Sequence, residues 1–271
     1  MPFVLSEDVE PGVRLITLNR PNALNALAPE LLIELQAAIR DASNDRNCRV
    51  VILTGAGRGF CSGADLVGGS GSSEREANEG PQTQVGIVYE MQELVANTVL
   101  AVHECRKPVI AAVHGAAVGG GLAIALACDL RVAAENVKFG SVFIKVGLSS
   151  CDVGTSYFLP RIVGPAKAFE LMVTGRHFGA EEAERIGLVH TVVAQEEMIE
   201  SALTTARLIV ANNEYGVWMT KSGMWANLDA PSLRHAMELE NRTQVLGFFT
   251  GNMEEAMQAF VEKRDPQWKP F

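Results

Sequence analysis

A chain of 271 residues is long enough to bury a substantial core and short enough to be one α/β body with an appendage. Apolar residues make up 48% and charged residues 20%, a mixture that offsets ordering entropy by burial and excludes a disordered tail. The formal net charge of -9 and the absence of a cationic cluster present the wrong sign to a polyanion, so no nucleic-acid partner is expected.

From Met1 to Asp8 the chain reaches acidic residues before any apolar run long enough for a signal peptide. No stretch elsewhere is read as a membrane span, so no membrane partner and a cytoplasmic location are expected. Cys48, Cys61, Cys105, Cys128 and Cys151 are odd in number, irregular in spacing and never form Cys-x-x-Cys, which points to a reducing compartment and to no metal site.

The β-branched runs at 13–18 and 50–54 predict strands, and between them Pro29-Glu30 opens a helix carrying Leu31, Leu32, Leu35, Ala38 and Ile39. The rhythm repeats with a helix over 84–104, a strand at 109–113, an apolar helix from Gly121 to Cys128 and a strand at 130–133. A layered α/β body with parallel strands follows. Gly68 to Gly80 reads as a mobile surface loop. After residue 195 the pattern is helical, near 195–211, 214–227, 231–247 and 252–264. The expected division is therefore a core over 1–195 and a helical C-terminal subdomain over 196–271.

Two glycine-rich segments each follow a buried strand: Gly55 to Leu66, and His114 to Ala123 with three consecutive glycines entering an apolar helix. Glycine lets backbone approach a ligand without Cβ interference, and a helix N-terminus offers free N–H groups and partial positive charge. Two such turns can aim one N–H each at a carbonyl oxygen, as an oxyanion hole does. Taken singly, either turn is also an ordinary structural strand-to-helix turn. A dinucleotide fingerprint is not met, because neither turn joins the first strand to a helix with an acidic residue at the next strand end.

The segments Asn19 to Leu27, Gly59 to Leu66, Lys107 to Gly115, Gly119-Gly120-Gly121, Ala127-Cys128-Asp129, Ala183 to Val189 and Ala259 to Arg264 resemble, in order, motifs of the crotonase (enoyl-CoA hydratase/isomerase) superfamily. The resemblance implies a crotonase-type spiral of ββα units with a helical C-terminal subdomain, assembled as a homotrimer or a hexamer made of two trimers. It implies an acyl-CoA thioester substrate, with coenzyme A arriving as part of that substrate and no permanently bound cofactor. By position it implies that the amides of Ala64 and Gly120 form the oxyanion hole, that Asn22, Ala23 and Leu24 lie along the coenzyme, and that Ala64, Asp65, Leu66 and Val67 surround its pantetheine and adenine. Some relatives carry a lysine where Asn22 stands. Phe260 and Lys263 match residues that reach coenzyme A in relatives; an ordinary amphipathic terminal helix is the other reading, and Arg264 is a second cation there.

The pattern breaks at the acid/base groups. Hydratases of this family place glutamates where this chain has Ala123 and Phe143, and neither alanine nor phenylalanine titrates. The nearest replacement is Asp152, read either as a general acid/base in an apolar pocket or as a helix N-cap. Cys151, His114, Glu90, Glu93, Glu238 and Glu240 are weaker candidates. Three functions follow: isomerase or specialised hydratase or hydrolase chemistry through one carboxylate, ordinary enoyl-CoA hydration by displaced groups, or a catalytically silent acyl-CoA binder.

Overall fold

The computed structural model describes residues 1–65 and 83–271. Leu66, Val67 and the Gly68–Gly80 stretch lie outside the described residues. A six-stranded sheet runs in the order β1 (Val4–Glu10), β2 (Val13–Leu18), β3 (Val50–Gly55), β4 (Val109–Val113), β6 (Leu130–Ala134), β9 (Thr191–Val193). Only β1 is antiparallel to its neighbour in this sheet; the other pairings are parallel. A smaller sheet joins β5 (Ala116–Val118), β7 (Lys138–Gly140) and β8 (Phe178–Gly179).

β3 and β4 are buried along their whole length, which is why their sequences are continuous apolar runs rather than alternations. Their successive side chains point to opposite faces and feed two separate cores. On one face Val51, Leu53, Ala111 and Val113 pack with Leu31, Leu35 and Ile39 of α1 (Pro29–Asn44), Val99 and Val102 of α2 (Gln84–His103), and Leu122 to Ala127 of α3 (Gly120–Ala127). On the other face Val50, Ile52, Ile110 and Ala112 pack with Met198, Ala202 and Ala206 of α7 (Met198–Val210). Thus α7, grouped by sequence with the C-terminal helices, covers the second face of the main sheet.

Between β7 and β9 lie α4 (Thr155–Val163), α5 (Pro165–Thr174) and α6 (Ala180–Arg185); the C-terminal part holds α8 (Glu214–Leu228), α9 (Leu233–Phe248) and α10 (Asn252–Glu262). Two ion pairs fasten α8 to the body, Lys107–Glu214 at 2.9 Å and Lys221–Asp129 at 2.8 Å. Asp129 also accepts the amide of Val109 at 2.8 Å, so one acid at the end of α3 joins a core strand to the C-terminal helices. Beyond α8 burial falls off: α9 has no buried residue, and α10 has only Asn252 and Ala259.

One expectation needs correcting. α2 spans 20 residues and contains an 18-residue window of mean hydropathy 1.2, so it is long and apolar enough to cross a membrane by length and composition. On its inner side Thr98, Val99 and Val102 are buried and Gln36 of α1 donates to Leu94 O and Thr98 Oγ1, while Val85, Val88, Tyr89 and Leu100 are exposed.

Candidate active site

Because β3 and β4 are parallel neighbours, the chain leaves both at the same edge of the sheet, and both glycine turns begin there. Backbone hydrogen bonds then lace the turns together: Phe60 N to His114 O at 2.8 Å, Cys61 N to Ala116 O at 2.8 Å, and Val118 N to Cys61 O at 3.1 Å. The fit excludes side chains. A Cβ at Gly121 would stand 2.2 Å from Cys61 O, and one at Gly63 (φ +86°) would stand 2.8 Å from Val118 O and 3.3 Å from Gly120 N. Gly63 and Gly120 are therefore in direct apposition. Among the described residues, the amides of Ala64 and Gly120 donate no hydrogen bond.

α3 begins at Gly120 with no side-chain cap, leaving the electropositive end of the helix at this apposition. Its other end is closed by Arg131, which donates to Cys128 O at 2.7 Å, Ala125 O at 3.3 Å and, through Nε, Leu188 O at 2.6 Å. Burial pulls the Arg131 guanidinium below its ordinary range, and two of the carbonyls it satisfies, Ala125 O and Cys128 O, are ones that a helix terminus leaves unpaired.

The Asn19–Leu27 motif is a third strand of this lacing. Leu24 (φ 49°) and Asn25 (φ 54°) are both left-handed, and Asn25 is fully buried. Its amide donates to Gly59 O at 2.8 Å and Ala56 O at 3.0 Å, while its Oδ1 accepts from Arg20 N at 2.8 Å. Ser62 N donates to Leu24 O at 3.0 Å and Leu27 N to Gly63 O at 2.8 Å. Arg20 donates to Ala26 O at 2.6 Å and pairs with Asp65 at 3.0 Å. The Asp65 carboxylate is thus engaged by Arg20, while Asn22 stands exposed on a short turn over Pro21–Ala23 with Ala23 and Leu24 half-buried behind it.

At Ala123 and Phe143, where the resemblance puts the hydratase glutamates, the chain carries buried hydrocarbon. Ala123 is fully buried within α3, and Phe143 is 8% exposed, its ring edge 3.9 Å from where a Cβ on Gly119 would lie. Asp152 is half-buried and its Oδ1 accepts two hydrogen bonds, one from Gln92 Nε2 of α2 and one from Val153 N at 2.9 Å. The N-cap reading of Asp152 is corrected: Gly154 occupies the cap of α4, and no side chain caps that helix. The Asp152 carboxylate turns instead toward α2.

The weaker candidates separate cleanly. Burial pushes the thiols of Cys61 and Cys128 up to about 12, so neither is a thiolate near neutrality. Cys151 is exposed. His114 is buried and its Nε2 donates to Gly57 O at 3.0 Å, tying β4 to the first glycine turn. Glu90, Glu93, Glu238 and Glu240 are exposed. On α10, Phe260 is 85% exposed and Lys263 is exposed, whereas Arg264 is held by Glu255 and Glu262, each at 2.6 Å. Hydrogen bonds from Arg264 and the Gln267 amide hold the Glu255 carboxyl down at about 2. Of the adjacent Lys263 and Arg264, Lys263 makes no ion pair among the described residues.

Sequence reasoning missed Asn25 as the staple of the turns and Gln92 as the partner of Asp152. An asparagine inside an otherwise apolar Ala-Leu-Asn-Ala-Leu run was a usable signal for the first, since a buried amide must find partners. Gln92 carried no signal in its own helix.

A twisted, mostly parallel sheet whose strand ends carry two interlocked glycine turns, with helices reaching back from the C-terminus, is the architecture of the crotonase superfamily. The enoyl-CoA hydratase/isomerase family model matches residues 8–270, and the chain belongs to that family. It is 40% identical over 269 residues to a probable enoyl-CoA hydratase of Mycobacterium bovis, covering 97% of this chain and 92% of that one. It is 34% identical to the 1,2-epoxyphenylacetyl-CoA isomerase of Escherichia coli, covering 99% and 98%. A probable enoyl-CoA hydratase/isomerase crystal structure from Mycobacterium abscessus superimposes with a TM-score of 0.90 at 40% identity, covering 99% of each chain. The protein is an acyl-CoA enzyme of this family.

Proposed function

We propose that this enzyme isomerises an unsaturated acyl-CoA through a thioester enolate, with the amides of Ala64 and Gly120 as the oxyanion hole and Asp152 as the one proton-transferring carboxylate. The observation that carries the reading is the burial of hydrocarbon at both glutamate positions, Ala123 and Phe143, beside an intact pair of glycine turns. In the proposed step the Asp152 carboxylate takes a proton from the carbon next to the thioester carbonyl. The C–H electron pair forms a carbon–carbon double bond to the carbonyl carbon as the carbonyl π pair moves onto oxygen, where the two N–H groups stabilise it; Asp152, whose acquired proton exchanges with solvent, then protonates the chain at the far end of the conjugated system. Substrate and product are isomers, so no water is consumed. Each oxyanion-hole donor contributes roughly 3 kcal/mol to such a transition state. Asn22, Ala23 and Leu24 would flank the coenzyme, with Phe260 and Lys263 approaching it from a C-terminal helix.

Hydration by displaced groups is the second reading, favoured by the name of the Mycobacterium bovis relative. It requires two acid/base groups, and Asp152 supplies one. We also read the exposed apolar residues of α9, its C-cap Phe249 and α10, among them Leu233, Phe248 and Phe260, as surface covered by other copies in a homotrimer or hexamer.

Asp152→Asn tests the assignment, because an amide keeps the shape of the side chain and does not exchange protons near neutrality. Turnover is expected to fall by about 100-fold or more, with coenzyme A affinity by calorimetry nearly unchanged. Activity surviving in this variant would make Asp152 structural.

A further inference from the structure

We propose that Gln92 is the positioning residue for Asp152, and that it decides which carboxylate oxygen works: Oδ1 is the anchored atom and Oδ2 the proton-transferring one. The inference rests on the reading of Asp152 as the acid/base. Oδ1 accepts both the Gln92 amide and the Val153 amide, whereas Oδ2 accepts no hydrogen bond among the described residues. An oxygen already holding two donors has its in-plane lone-pair directions filled, so the bare oxygen is the better proton acceptor.

The surroundings show why an anchor from α2 is needed. Val153 has φ +34°, a left-handed conformation that a β-branched residue adopts only against steric resistance, and it is 8% exposed. Such a backbone persists only where neighbours over-determine it. The core holds Val153 from below, and Thr155 N donates to Asp152 O at 2.8 Å. Those contacts fix the backbone of the loop, while rotation of the carboxylate about its own side-chain bonds is limited from outside by Gln92.

α2 is well placed to do this. Gln92, Val99 and His103 are spaced seven and four residues apart, so they share one stripe of the helix. Along that stripe Val99 Cγ1 lies 3.4 Å from where a Cβ on Gly154 would stand, and the His103 ring packs edge-on to Phe158 at 5.0 Å. Three successive points of the 152–158 segment therefore rest on one helix face, and Gln92 is the point that touches a candidate reacting group.

A double-mutant cycle separates positioning from mere surface contact. Gln92→Leu and the near-isosteric Gln92→Glu, which has no amide donor, are measured alone, and Gln92→Leu is also combined with Asp152→Asn, on the full-length protein with an enoyl-CoA substrate. Expected are a kcat loss of about 10- to 100-fold in both single variants, a KM and a thermal midpoint near wild type, and a double variant no slower than Asp152→Asn alone. A wild-type kcat in the Gln92 variants, or a loss that multiplies fully with that of Asp152→Asn, overturns the proposal. If Asp152→Asn itself keeps turning over, the acid/base reading fails first; if it is dead while the Gln92 variants are fully active, that reading stands and the positioning claim alone falls.

Discussion

Around Ala64 and Gly120 backbone is locked by other backbone, whereas around Asp152 a carboxylate is aimed by one exposed side chain and one strained residue. In the first region three segments exchange main-chain hydrogen bonds at 2.8–3.1 Å and leave no room for a Cβ at Gly121. In the second, the Gln92 contact spans 60 residues of sequence and lies at the surface. The difference bears on how such a site changes over time. Main-chain donors survive almost any side-chain substitution, so under the proposed reading enolate stabilisation stays with the glycine turns while the proton-transfer group is free to move from the positions of Ala123 and Phe143 to the Asp152 loop.

The comparison predicts unequal tolerance. The largest effect is expected for Gly121→Ala, whose methyl group would overlap the Cys61 carbonyl at 2.2 Å, a backbone atom that moves only if the turn moves. Destabilisation of about 3 kcal/mol or more, or failure to fold, is expected in denaturant melts. A stable, active Gly121→Ala protein would show the frame to be adaptable. Next is Asn25→Ala, which strands Ala56 O, Gly59 O and Arg20 N and puts alanine in a left-handed position. About 2–4 kcal/mol should be lost, and turnover should fall with it.

The smallest effect concerns the helix beneath the Asp152 loop. His103, between Phe158 and Trp225, has a buried Nδ1 without a partner, and burial followed by the nearby Lys221 lowers its pKa. Its folded state therefore disfavours the proton that the unfolded chain binds, so stability is complete above the ordinary histidine pKa and declines as pH falls below it. The thermal midpoint should drop between about pH 7 and pH 5, and His103→Phe should flatten that decline. An equal decline in the variant would assign the effect to other groups.

Much of this architecture was legible because it is written in local pattern. The strand at Val109–Val113 and the helix opened by Pro29 appear as read, since a doubly buried strand is a continuous apolar run and α1 is amphipathic. β1 was missed because it is an edge strand with Val4 as its one buried residue, so Glu7, Asp8 and Glu10 hide the strand period. The glycine turns announced themselves by composition, but their apposition depends on β3 and β4 being neighbours, which needs the sheet order. Asp152 was visible as a carboxylate near an expected site. Its orientation was not, because the deciding partner is on a helix far away in sequence.

The central claim is enolate chemistry without net hydration, and the most direct test is mass spectrometry of saturated and unsaturated acyl-CoAs incubated with the purified enzyme in heavy water. Deuterium uptake into an acyl-CoA, with the double bond moved and no gain of water, is the predicted result. Rapid gain of water by a simple 2-enoyl-CoA would contradict it, and so would bound coenzyme A thioesters that exchange no deuterium at all.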